Sequence, residues 1–404
     1  MRLLKDWLDN FMQYTENLET ARNFRLWTGI STIAACLQRK VSLPLGLLTV
    51  YPNEYIILVG PSGSGKGTAM APGYDLLSDL GIRMSFESTT REALIRSLSK
   101  STNTTVNDAG ILTMHSSLTI FSQELTVFLG YNNIQLMTDL CDWYDCRKSW
   151  TYDTKNVGRD EIHGVWVNLI GATTPDLLQS TMPRDAVGSG LTARLILVYS
   201  SKKDRIVYFP FLSAEQKEIG SKLREDLEQI ALIKGEFKIS DSFVGNWINW
   251  RDSNEGTSTL SSDARFAGYV ERRKAHMLKL SMILNASRTD SMVIDTIDLQ
   301  RADLLMKQAE RYMPRAFSGV GKSRHGDILI RIWTELSRRG VVEREELMTK
   351  YHYDIDAREL EGIIETLRTM GLLELGSDKG KILLIYKHRK EVEETYGIEG
   401  KARK

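Results

Sequence analysis

Tyr55-Ile56-Ile57-Leu58-Val59-Gly60-Pro61-Ser62-Gly63-Ser64-Gly65-Lys66-Gly67-Thr68 is the stretch on which the fold turns. Five apolar residues in a row read as a strand buried on both faces. They run directly into a loop of repeated glycines. Such a loop lets successive backbone N–H groups turn toward one point and form an anion nest. The helix that follows adds its positive end. In this reading residues Gly60, Pro61, Ser62, Gly63, Ser64, Gly65, Lys66, Gly67 and Thr68 hold the phosphates of a nucleotide. Lys66 reaches the β- and γ-phosphates, and a hydroxyl completes a Mg²⁺ shell. ATP and Mg²⁺ are the cofactors implied. The Ser or Thr usual directly after the lysine is Gly67 here, so the hydroxyl falls to Thr68.

Short apolar runs separated by helical stretches surround this loop from about 50 to 200. The runs are Tyr55–Val59, Ile82–Phe86, Leu118–Phe121, Val165–Ile170 and Leu195–Tyr199; Thr90–Ser99 and Leu177–Thr181 read as helices. Alternation of this kind predicts an α/β fold with a parallel sheet covered on both faces. A hydrolysing enzyme of this type needs acids at the end of a second core strand. The strand Ser117–Ser122 leads to Gln123 and Glu124. Glu124 is the expected catalytic carboxylate. Gln123 stands where an aspartate would serve the metal, leaving Ser122 or Gln123 to do so indirectly.

Further candidates follow in chain order. Val165–Thr174 reads as a strand whose end sets Thr173 and Thr174 beside the phosphates as a sensor, or as caps of the helix at Pro175. Asn168 falls within that strand. The glycine-bearing loop before Leu195 brings Arg194 to the threshold of the last strand. There it either acts as a guanidinium on a neighbouring subunit's γ-phosphate or pairs a carboxylate of its own subunit. Arg184 is a second candidate.

Composition constrains the rest. At 404 residues the chain exceeds one core, and its formal charge of +1 supplies no steering field for nucleic acid. Cys36, Cys141 and Cys146 read as reduced thiols of a cytoplasmic, soluble protein. No window suggests a membrane span, and none is expected.

Residues 1–48 read as an N-terminal helical collar, 49–211 as the core and 212–314 as a helical lid. The stretch 323–390 gives three short helices followed by a β-hairpin, the winged-helix order, and 391–404 is a basic tail. Its third helix mixes Glu359, Glu361 and Glu365 with Arg358 and Arg368, which is not the face of a strong major-groove reader.

The order of these parts resembles a P-loop ATPase family of phage- and plasmid-borne proteins associated with helicase and primase functions. It is also similar to AAA+ helicases of the minichromosome maintenance type. The resemblance implies a P-loop NTPase of AAA+/RecA-like fold and an ATP-dependent DNA helicase. It implies a homo-oligomeric ring, expected to be a hexamer, that moves on single-stranded DNA or a forked duplex beside a primase or replication initiator. It also implies that a hairpin around Trp150–Ile162 grips nucleic-acid backbone through Lys155 and Arg159, and that Arg272 and Arg273 act as a second phosphate sensor. Two alternatives stand: a helicase loader or initiator-type switch, and a nucleotide kinase, since the Gly65-Lys66-Gly67-Thr68 ending resembles adenylate-kinase-like loops.

Overall fold

The computed structural model describes residues 2–85, 90–106, 110, 112–131, 133–154, 158–182, 190–254, 260, 263–317, 326–378 and 380–387. Asp6 caps the first helix, α1 (Trp7–Tyr14), by accepting the Asp9 N–H, and Trp7, Leu8 and Phe11 turn inward. The second helix, α2 (Arg22–Leu37), is almost wholly buried. Helix was expected to about residue 45, and the structure corrects this. Gln38 adopts φ 53, and Val41–Leu45 forms strand β1, paired antiparallel with β2 (Leu48–Val50). A β-branched Val41 and Pro44 suit an extended chain better than a helix.

The central region follows as β3 (Tyr55–Val59), α3 (Lys66–Asp79), β4 (Met84–Ser85), α4 (Arg91–Ser99), β5 (Thr102–Val106) and β6 (Leu112–Ser122). Then come α5 (Leu125–Leu129), α6 (Ile134–Tyr144), the hairpin β7 (Ser149–Thr154) and β8 (Gly158–His163), β9 (Val165–Thr173), α7 (Pro175–Thr181) and β10 (Leu195–Tyr199). The main sheet runs β10-β3-β9-β6-β4, all parallel, with β5 antiparallel on β6. This is the α/β architecture expected from the apolar runs. The side chains of β9 alternate between two covered faces. Asn168 donates to Ser31 of α2 on one face, while Gly171 abuts Leu125 of α5 on the other.

The chain continues through α8 (Ala214–Leu232), β11 (Gly235–Glu236), β12 (Lys238–Ile239), α9 (Asp241–Asn254), α10 (Ala267–Arg288), β13 (Val293–Ile294) and α11 (Thr296–Ala316). α1 packs on α8, and α10 packs on α11 and α2. All of this falls in one unit, Met1–Gly319.

The second unit, Val320–Lys404, has its own core of Ile332, Leu336, Leu347, Leu360, Ile363 and Leu367. It comprises α12 (Gly326–Arg339), β14 (Val341–Glu343), α13 (Arg344–Tyr351), α14 (Ala357–Thr369), β15 (Leu373–Asp378) and β16 (Lys381–Tyr386). Asp356 and Glu359 close a capping box on α14. The three helices and the hairpin match the expectation. β14, which joins the hairpin as a third strand, was not foreseen. Among the described residues no helix is long and apolar enough to cross a membrane. All three cysteines are free, and burial pushes the Cys36 thiol up to about 12.

Candidate functional site

Because β3, β9, β6 and β10 are parallel, the segments that follow them share one edge of the sheet, where ligands of open α/β sheets bind. The glycine loop sits there, and the Gly60 N–H donates to the Thr173 carbonyl at 3.2 Å. Gly63 and Gly65 adopt φ 76 and 78, a left-handed conformation that glycine accepts without a Cβ penalty. At Gly65 space forbids a side chain as well. A Cβ there would lie 2.9 Å from Thr20 Cγ2 and 3.0 Å from the Glu19 carbonyl. The segment before α2 is therefore a wall of the loop.

Lys66 opens α3, so the first N–H groups of that helix have no intrahelical partner. The Lys66 ammonium folds back to donate to the Gly60 carbonyl at 2.8 Å, the Pro61 carbonyl at 2.9 Å and Ser64 Oγ at 3.3 Å. Burial lowers its pKa, and the neighbouring Glu124 carboxylate pulls the other way. Left-handed glycines, unpaired N–H groups and a partly desolvated ammonium at one point fit a phosphate group.

The residues expected to hold Mg²⁺ do not fit it as well. A Cβ on Gly67 would sit 3.0 Å from Gln123 Oε1, so the amide of Gln123 occupies the space that a hydroxyl-bearing residue would use. The two departures noted in the sequence are thus one contact: a small residue and an amide stand where a hydroxyl and a carboxylate would bind metal together. Thr68 is exposed and lies ~100° further round α3 than the position facing Gln123. On α3 it is thus Gly67, not Thr68, that faces Gln123. Ser122 Oγ is buried with no partner among the described residues. Glu124 is exposed, has no capping bond to α5, and lies near Lys66. Restoring the usual pair tests this reading. Gly67→Ser with Gln123→Asp is expected to make nucleotide affinity depend about tenfold more strongly on millimolar Mg²⁺ than in the parent, measured by titration with and without chelator; one charge-assisted contact is worth about that much.

Thr173 ends β9 beside Val59, buried, with its hydroxyl donating to the Thr174 carbonyl at 3.3 Å. Thr174 caps α7 by accepting the Leu177 N–H at 3.3 Å. Of the two roles open to it, the structure shows the capping one.

Arg194 is also placed differently from the protruding arginine expected. It is 7% exposed and pairs Asp145 of its own chain at 2.5 Å, while Arg272 takes the same carboxylate at 3.2 Å. Leu195 stands opposite Tyr55 in the sheet, so this cluster lies at the edge opposite the glycine loop, ~16 Å away along five residues. Arg272 therefore cannot sense phosphate in its own subunit's loop. Nor can Arg273, which is buried on α10 and bonded to Glu310 at 2.6 Å with its guanidinium over the Trp250 ring. Within this chain both arginines are paired with carboxylates, Arg272 with Asp145 and the buried Arg273 with Glu310.

The hairpin expected at Trp150–Ile162 is β7–β8, in register Thr154 with Gly158. Trp150 packs edge-on against Trp143, and Arg91, paired with Asp139 at 2.7 Å, stacks on Tyr152. Lys155, Arg184, Lys379, residues 388–404 and the side chain of Arg159 lie outside the described residues.

Sequence reasoning missed Glu19, Thr20 and Phe24, the last 3.2 Å from where a Gly60 Cβ would stand. Nothing in their residue types marks them; only the fold brings them to the loop. No protein-family model matches this sequence, and no curated protein matches it either.

Proposed function

We propose that this chain is a P-loop ATPase of AAA+ type that drives a DNA motor, a ring-forming replicative helicase of a virus or mobile element. One observation carries the reading: the glycine loop, Lys66 and Glu124 gather at the carboxyl ends of a parallel sheet, with β9 lying between the strands that bear them. Phosphates would rest on the N–H groups from Gly65 to Thr68, where the loop enters α3, and on Lys66. Glu124 is free of capping duty and can accept a proton from an attacking water.

The opposite edge supports assembly. Asp145 there faces two guanidiniums, Arg194 and Arg272, so one positive charge is left over. Arg272 is the more exposed of the two, and in a head-to-tail ring it is the one positioned to approach a neighbour's phosphates. The β7–β8 hairpin would face the channel and grip single-stranded DNA through Lys155 and Arg159. The second unit, with its winged-helix order, has Arg339, Lys381 and Lys387 paired to Glu346, Glu343 and Glu374. This suits docking of a primase or initiator more than strong DNA contact.

The contact between Gln123 and Gly67 favours a second reading, an ATP-binding loader or initiator switch with slow turnover. Unwinding of a forked duplex separates the two. A motor unwinds with ATP, forms a ring by light scattering when ATP analogue and single-stranded DNA are present, and loses at least about tenfold of its unwinding rate in Lys155→Ala while keeping ATP affinity. A protein that hydrolyses ATP, stays monomeric and never unwinds refutes the motor.

A further inference from the structure

At the amino-terminal edge of β6 and β9, a cavity of about 400 Å³ opens at the foot of the β7–β8 hairpin, within the size range of ligand sites. Four cations line it, Arg39, Lys40, Lys148 and Lys234, against the single carboxylate of Glu236. These cations come from three separate parts of the chain, so the fold has gathered them. Arg39 is pinned by donating to the Cys146 and Val165 carbonyls at 2.6 and 2.7 Å, and its guanidinium stacks 4.2 Å from the Tyr51 ring centre. Lys40 donates to the Ala231 carbonyl. Lys148 and Lys234 are exposed.

His115, also lining the cavity, is 3% exposed, and its Nε2 has no partner among the described residues. The Arg39 backbone N–H donates to Ser117 Oγ at 3.4 Å, and a hydrogen bond of 2.8 Å joins Ser117 Oγ to His115 Nδ1. Burial, with Lys40 and Arg39 adding to it, pushes the imidazole down to about 4, so the ring is neutral at pH 7. Nε2 is thus a buried ring nitrogen lacking a partner among the described residues, a costly state unless something in the cavity pairs with it. Apolar surface is interleaved with the charges: the Tyr51 ring and the exposed Met114 and Val106. Cations that track phosphates beside surfaces that take bases or sugars are the pattern of a single-strand site.

We infer that this cavity binds the phosphodiester backbone of a single-stranded nucleic acid, forming a second contact at the foot of the hairpin whose tip grips the same strand. The inference rests on the DNA-motor reading above. It concerns residues at the sheet edge opposite the nucleotide loop, so the two sites are testable apart.

The test is fluorescence anisotropy of a labelled oligothymidylate with the full chain across a salt series. It compares the parent, Lys148→Ala/Lys234→Ala, Arg159→Ala and Lys66→Ala. Both cavity lysines are exposed, so the double variant is expected to fold, which circular dichroism checks. The double variant is expected to bind about tenfold more weakly, with a salt slope shallower by about 1.4, or 0.7 for each lost contact. Its ATP affinity stays at the parent value. An unchanged affinity and slope in the double variant, with Arg159→Ala weakened, overturns the cavity and leaves the hairpin reading standing. Displacement of the oligonucleotide by inorganic tripolyphosphate as effectively as by a second oligonucleotide assigns the cavity to free polyphosphate and also overturns the proposal. No binding by the parent ends both readings.

Discussion

Lys66→Ala is expected to lower affinity for ATP by at least about a hundredfold, roughly 2.8 kcal/mol, while leaving the fold intact. The size follows from the site. An ammonium meeting phosphate oxygens makes charge-assisted hydrogen bonds worth about 1.5–3 kcal/mol each. Lys66 is partly desolvated, which strengthens whatever it meets. Its present partners are backbone carbonyls at the mouth of the loop, and water takes over when the ammonium is gone. Calorimetric titration with ATP, with circular dichroism as the fold control, reads both quantities. Parent-like affinity in the variant would remove the basis for the motor and for the switch together.

Glu310→Ala is expected to cost about 3–5 kcal/mol of stability, the range for breaking a buried ion pair by removing one partner. Arg273 and Glu310 are 4% and 3% exposed, with Nε and Oε1 2.6 Å apart, and the Tyr269 hydroxyl donates to the same carboxylate at 3.3 Å. Alanine leaves the guanidinium in the interior of the α9–α11 helices with the Asn254 amide oxygen at 3.1 Å, the Trp250 ring and, as its nearest carboxylate, Asp303 at 3.7 Å. A fall in the urea midpoint of the first unit's unfolding measures the loss. Arg273→Met combined with Glu310→Leu is expected to recover most of it, because apolar side chains of similar volume need no counter-charge. ATP affinity in the double variant should equal that of the parent. A hundredfold weakening there would return Arg273 to the phosphate site.

The glycine loop and the parallel sheet were legible because their signals are local. An unbroken apolar run means a two-faced strand, and glycines before Lys66 mean an exposed nest of N–H groups. What the sequence hid was direction. Arg194, Arg272 and Arg273 were sound choices by residue type, yet they lie at or near the far edge, because a parallel register puts the start of β10 beside the start of β3. Thr174 was open to two uses of one hydroxyl, and the fold shows it accepting as the cap of the helix beginning at Pro175. The link between Gly67 and Gln123 joins positions 56 residues apart (123 − 67), so each looked like an independent departure until the chain was folded.

Glu19 and Thr20 press against Gly65, and Phe24 approaches Gly60. Shortening the protein from its amino end, a routine step when a helical appendage is suspected, would therefore strip one side from the glycine loop. On the reading proposed above, a loss of ATPase in such a truncation would report a breached loop, and it would be misread as evidence for a separate regulatory module.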